Sequence, residues 1–333
     1  MTTKEVFSKT LVFGWIKLGL GLLNILIAIV LFAILMGISV LFASEGVGAI
    51  MFFIWLGAIG VVNFIINHYI GYLVKAGHVA IIATAFKTGI VPANPVSTGK
   101  AMVKERFGTS NVYFALDKLI AGSVKQLQRT LGRITDGLLG AIPGTDTVKS
   151  LINMFLDISL GYIDECCLGY TFNHSEQNAY KSAADGVVIY AQNWKTLLKD
   201  AAKTTLVVVF SIIAVTLAAF IIFGGLFRLF GWSGFVAFVI SLFLAWTVKY
   251  AFIDSWILVK MMSSYMQAVP NTQITFDLYG KLGGFSKKFK ELFSKGQEGT
   301  NEVKKPSFCP SCGTSLAPGK AFCGNCGARL GEM

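Results

Sequence analysis

Four apolar runs decide what this chain can become. Residues 18–42, 48–73, 204–227 and 232–259 are each long enough to cross a hydrocarbon core of about 30 Å, which takes roughly 20 helical residues. A segment in lipid must satisfy its own backbone polar groups, so runs of this kind predict helices. The first two are joined by the short stretch 43–47 and the last two by 228–231, so each pair predicts a hairpin. Only 14% of the 333 residues are charged and 54% are hydrophobic, whereas a soluble globule carries about a quarter charged residues. The net charge of +11 therefore points to membrane orientation and anionic headgroups, and no nucleic-acid partner is expected. The first run is longer than a signal h-region of about 7–15 residues, so it is expected to stay as an anchor.

Loop charge predicts the orientation. The short connections hold only Glu45 and Arg228, while Lys4, Lys9, Lys75, Lys87, Lys100, Lys104 and Arg106 lie on the other side. By the positive-inside rule both termini and the long middle are expected to face the cytosol. The fold class expected is an all-α, multi-pass protein of the cell membrane. Two transmembrane hairpins (1–73 and 203–262) flank a cytosolic amphipathic-helical region (74–202). A basic amphipathic helix with a linker (263–306) and a small zinc ribbon (307–333) follow. Small and polar residues recur on one stripe of each early span: Gly14, Lys17, Gly21, Asn24 and Ala28, then Gly57, Gly60, Asn63, Asn67 and Gly71. Such stripes let helices approach closely, and packing within the hairpin is expected of them.

In the middle, Leu116, Leu119, Ile120, Leu127, Leu131, Ile134 and Leu138 share one helical face opposite Lys118, Lys125, Arg129 and Arg133. Beyond the turn Pro143–Gly144, a second helix with Asp157 and Asp164 predicts a charge-complementary helical hairpin. A third helix is expected to be capped by Asn173 with Glu176 reaching back, and to run on into the third span. After the last span, Leu282, Phe285, Phe289, Leu292 and Phe293 oppose Lys287, Lys288, Lys290 and Lys295. That amphipathic pattern predicts a helix lying on the anionic inner leaflet of the bilayer.

The most specific motif is C-x2-C-x10-C-x2-C at Cys309, Cys312, Cys323 and Cys326. Two such knuckles, each followed by glycine, aim four thiolates at one tetrahedral Zn2+. A segment this short cannot bury enough surface to fold alone, and metal binding can supply what the core lacks. It resembles the short zinc ribbons appended to many prokaryotic membrane proteins, which implies a docking module for a cytosolic protein partner. Cys166 and Cys167 are read as small buried hydrophobes.

Cys166-Cys167-Leu168, Asn178-Ala179-Tyr180 and Asn193-Trp194, followed by two spans ending at Asp254–Val259, resemble the C-terminal part of the choline-transporter-like solute carrier family. The likeness covers about residues 166–268, and the family has more spans than the four found here. It implies a solute-carrier-like fold and choline or a related amine as solute. Trp246, Tyr250 and Asp254 stand at i, i+4 and i+8 in the last span, an aromatic and acidic stripe suited to a quaternary ammonium. With Asn63 and Asn67 they are the candidate solute-binding residues. No hydrolase triad, P-loop or dinucleotide fingerprint is present in the sequence, and no enzyme is expected. The function expected is an oligomeric permease or channel-like protein for a small solute. The alternative is a non-transporting scaffold that recruits partners through its ribbon and amphipathic helices.

Overall fold

The computed structural model describes residues 1–41, 45–139, 162–229, 234–274 and 276–301, and these contain helices and no strand. In chain order the helices are α1 (Thr3–Leu41), α2 (Glu45–Ile66), α3 (Tyr72–Thr88), α4 (Pro95–Phe107) and α5 (Ser110–Leu139). Then come α6 (162–173), α7 (Ala179–Leu229), α8 (Gly234–Val248), α9 (Asp254–Ala268), α10 (Phe276–Phe285) and α11 (Lys287–Asn301). Two π-helical segments, Asn67–Gly71 and Lys249–Ile253, join α2 to α3 and α8 to α9 without breaking the run. The turn of the expected charge-paired hairpin, the part of its second helix that carries Asp157, and the whole zinc ribbon fall outside the described residues, whereas Asp164 lies in α6.

Among the described residues, three helical runs are long and apolar enough to cross a membrane: Thr3–Leu41, Gly46–Thr88 and Ser241–Asn271. The expected span at 204–227 lies within one continuous helix, where the apolar stretch described is Phe210–Leu226. It belongs to α7, a single helix of 51 residues, about 76 Å long at 1.5 Å per residue. The expectation that the third middle helix runs on into this stretch therefore matches the described helix. Leu26, Ile29, Phe53, Phe64, Phe210 and Ile221 are all exposed, a surface consistent with a membrane protein.

The two hairpins meet along α1. A Cβ at Gly14 would stand 3.0 Å from the Ala251 carbonyl oxygen, and one at Gly21 would stand 2.5 Å from Thr247 Cγ2. Gly14 and Gly21 of the small stripe therefore pack against the second hairpin, whereas the Ala28 carbonyl accepts the Trp55 indole N–H of α2 at 2.9 Å. Gly57 and Gly60 on α2 have open space around them.

Away from the exposed apolar ends lies a packed core. Ile82 of α3, Leu116 and Ile120 of α5, Leu168 of α6, Ile189 of α7 and Tyr265 of α9 are essentially inaccessible. Each such side chain contributes about 1.5–3 kcal/mol on burial. Phe289 and Leu292 of α11 are also fully buried, against α5 and α7. Most of the apolar face expected to rest on the leaflet is thus covered by the protein itself, with Phe285 left exposed.

The turn between α6 and α7 is held by Arg106. Its guanidinium donates to the carbonyls of His174, Ser175 and Gln177 and to the Ser182 hydroxyl, at 2.7–3.4 Å. The cap of α7 is Asn178, whose side chain accepts the Tyr180 N–H at 2.8 Å. Asn173, expected to be that cap, instead ends α6 and donates to the Ala83 carbonyl at 3.2 Å.

The crossing of α3 and α4 is the closest backbone approach. A Cβ at Gly99 would lie 2.7 Å from the Gly77 carbonyl oxygen. Gly99→Ala is expected to destabilise the protein by about 1–3 kcal/mol, measured by thermal unfolding in detergent. Gly57→Ala, with open space around it, is expected to leave stability unchanged or slightly raised.

Candidate functional site

Charged side chains gather where the apolar hairpins give way to the packed core. Lys17, one turn before the exposed face of α1, is only 5% exposed. Its ammonium donates to Ser255 Oγ at 3.0 Å and stands 3.5 Å from His78 Nδ1 and 5.7 Å from the Tyr250 ring centre. Ser255 in turn donates to the Ala251 carbonyl at 2.7 Å, so its lone pairs are left to receive the lysine. An ammonium has donors only, so His78 Nδ1 must accept and Nε2 carries the proton. His78 is fully buried with its ring stacked on Phe13 at 4.8 Å, and Nε2 finds no partner among the described residues. No carboxylate lies within ion-pair distance of Lys17 among those residues.

A second group surrounds Lys75 of α3. It pairs with Glu165 of α6 and stands 3.8 Å from Asp117 of α5. The other Glu165 oxygen and the Tyr113 hydroxyl are buried without partners among the described residues. Burial pushes the Asp164 carboxyl up to about 6, opposed by Lys75 and reinforced by Asp117. Burial, then Asp117 and Asp164, holds the Tyr113 phenol well above its ordinary range. The charge acting on Asp164, one half of the expected hairpin's acidic pair, thus includes Lys75 of α3, which lies outside the basic stripe of α5.

The third group contains the residues expected to bind a solute. Trp246 is 69% exposed, and Lys249 lies 5.3 Å from its ring centre. The same lysine pairs with Asp254 at 2.9 Å, and the Tyr162 hydroxyl donates to that carboxylate at 2.6 Å. Burial and then Asp254 raise the Tyr162 phenol. Trp246 and Asp254 are therefore bridged by an ammonium from their own chain. Tyr250 faces Lys17 instead. The i, i+4, i+8 stripe assumed an even helix, but the π-helical turn between Trp246 and Asp254 widens the winding and separates the two aromatics. Asn63 stands exposed on α2, and Asn67 opens the first π-helical segment. Spacing alone could not show Lys17, His78 and Ser255, which come from three distant helices. A lysine inside an otherwise apolar helical face was the one visible sign.

Cys166 and Cys167 are buried, and burial raises both thiols well above their ordinary range, so they pack as hydrophobes. Asn193, from the motif of the solute-carrier resemblance, donates to the Ile189 carbonyl at 2.9 Å and to Thr272 Oγ1 at 2.8 Å, tying α7 to the segment after α9.

Asp164 makes a pH prediction. Its folded value lies above the ordinary carboxylate value of 3.8, so the folded state holds its proton at pH values where the unfolded chain has lost it. This group's contribution therefore favours folding at low pH and falls as pH rises through about 4–6. Asp164→Asn is expected to melt higher than the parent at pH 7.5, with the gap shrinking steadily toward pH 4.5. A constant gap across that range would show that the carboxyl does not titrate there.

Comparison with known proteins gives one match: a zinc-ribbon domain model fits residues 308–330. No curated protein and no solved structure matches the chain. All four ribbon cysteines, Cys309, Cys312, Cys323 and Cys326, fall within the matched segment, so the C-terminus carries a zinc-ribbon domain.

Proposed function

We propose that this chain is a membrane permease or channel-like protein for a small amine, carrying a zinc ribbon as an interaction module. One observation supports the reading above others. Lys249 places an ammonium on the Trp246 ring and against Asp254, so that pair already accommodates the chemistry of an amine. A mobile amine would exchange with the tethered one. Lys17, buried between the hairpins on neutral acceptors, adds a fixed positive charge at the base of the same helices. An ionisable group in that position costs several kcal/mol without a partner, and it is more often functional than structural. The choline-transporter-like resemblance names the amine class, and both termini on the cytosolic side remain the orientation we favour.

The scaffold reading is favoured by the same Lys249–Asp254 pair taken as a purely structural bridge, together with the ribbon. Flux separates the two. Purified protein in liposomes is expected to take up labelled methylammonium or choline saturably. Trp246→Ala should weaken the apparent affinity about two- to thirtyfold, since a cation gains roughly 0.5–2 kcal/mol from an aromatic face. Lys249→Met should tighten it, and Asp254→Asn should abolish uptake while the protein still melts cooperatively. Folded wild-type protein with no uptake and no binding of either amine would leave the scaffold.

In the ribbon, four thiolates and no open position suit a structural Zn2+, with Cys309, Cys312, Cys323 and Cys326 as ligands. Elemental analysis is expected to find one zinc per chain. The double change Cys309→Ser, Cys312→Ser should remove it without lowering the melting temperature of the helical part. Zinc-free protein, freshly purified without chelator, would reject the assignment.

A further inference from the structure

We propose that α5 and α11 together form a docking surface for anionic lipid headgroups. The proposal rests on the chain residing in a membrane and is independent of whether it transports anything. The first turn of α11 lies directly on α5: a Cβ at Gly122 would meet Lys288 Cγ at 3.1 Å, and the Gln126 side-chain oxygen accepts the Lys288 N–H at 3.2 Å. Lys118, Lys125 and Arg129 share one face of α5 beside this contact and are exposed. Lys287, Lys288 and Lys290 are exposed on α11. The carboxylate on this stretch of α11, Glu291, is already held by Lys288 at 2.9 Å and Lys295 at 3.4 Å. The surface therefore presents a clear excess of positive charge.

An apolar side chain stands at its corner. Phe285, at the end of α10, is 61% exposed. The corner is fixed by Ser286, which donates to the Gln126 side-chain oxygen at 2.6 Å and accepts the Phe289 N–H at 3.0 Å. An aromatic held out among lysines, on a chain that the bilayer itself keeps close, suits the boundary between headgroups and acyl chains. The buried side of α11 takes no part, because Phe289 and Leu292 are committed to the core. Anionic lipid is favoured over nucleic acid because the long apolar helices of the same chain would hold this surface beside a bilayer, whereas Phe285 alone offers a single strand one stacking platform.

The test uses the full chain in detergent and short-chain phosphatidylserine or phosphatidylcholine as probe. Saturable binding is expected for phosphatidylserine and not for phosphatidylcholine. Lys287→Glu with Lys290→Glu should weaken it at least roughly tenfold, since each basic group near an anionic surface counts for about a fivefold factor. Lys118→Glu with Lys125→Glu should do the same from the other helix, and Phe285→Ser should weaken it less. Each variant must melt as the parent does. Phosphatidylserine binding unchanged in both charge-reversed variants overturns the proposal, as does tighter binding of a single-stranded oligonucleotide lost in the same variants. Alkaline carbonate extraction tests the membrane reading separately. A chain released by carbonate overturns both readings, whereas a retained chain with no preference for phosphatidylserine overturns only this surface.

Discussion

Lys17 cannot be buried cheaply, and much of the surrounding structure answers that constraint. An ammonium out of water needs acceptors, and this one has Ser255, His78 and the face of Tyr250, drawn from α9, α3 and the π-helical turn before α9. Those three contacts lock α1 to both hairpins at one level. Below that level Phe13 and Val6 of α1 are buried in the core. Above it, Leu22, Leu26 and Ile29 are exposed. One helix therefore passes from packed core to exposed apolar surface within a few turns, and the lysine marks the change. The charges at this level form three groups around Lys17, Lys75 and Lys249. Each group joins helices that the apolar packing alone would leave free to slide.

The π-helical segments belong to the same problem. A wider turn rotates the residues after it relative to those before it, and such turns recur at functional positions. Between Trp246 and Asp254, the turn sends the aromatic outward and the carboxylate inward to Tyr162. Lys249, at the start of the turn, spans the difference and touches both. An ordinary helix would have put both groups on one stripe and left the lysine elsewhere.

That is also where the sequence stopped being readable. The apolar runs and the face of α5 were legible because burial repeats at helical spacing: Leu116, Leu119, Ile120 and Leu127 are buried as their periodicity implies. The long continuation of the third middle helix was legible for the same reason. The cap of α7 was not, because Asn173 and Asn178 both satisfy the local chemistry of a cap and only tertiary contacts choose between them. Arg106, from a helix far back in the chain, gathers the carbonyls of the intervening turn and so assigns the cap to Asn178. The amphipathic pattern of α11 was legible as a pattern, but its apolar face found protein before it could find lipid. Periodicity shows that a face must be covered. It says nothing of what covers it.

The position of α11 then bears on how the ribbon is carried. Gly296 packs so closely on α7 that a Cβ there would lie 2.9 Å from the Lys181 backbone, and Tyr279 of α10 bonds to Asp185 one turn further along α7. Tyr279 also stacks on Phe293 of α11 at 4.5 Å. The last described helix is thus fastened to α7 near both its glycine and its aromatic cluster. α7 is in turn the helix that carries the apolar stretch Phe210–Leu226. A ribbon beginning at residue 308 starts only a few residues beyond Asn301, where α11 ends. The segment that leads to the ribbon therefore leaves from a helix already fastened to α7.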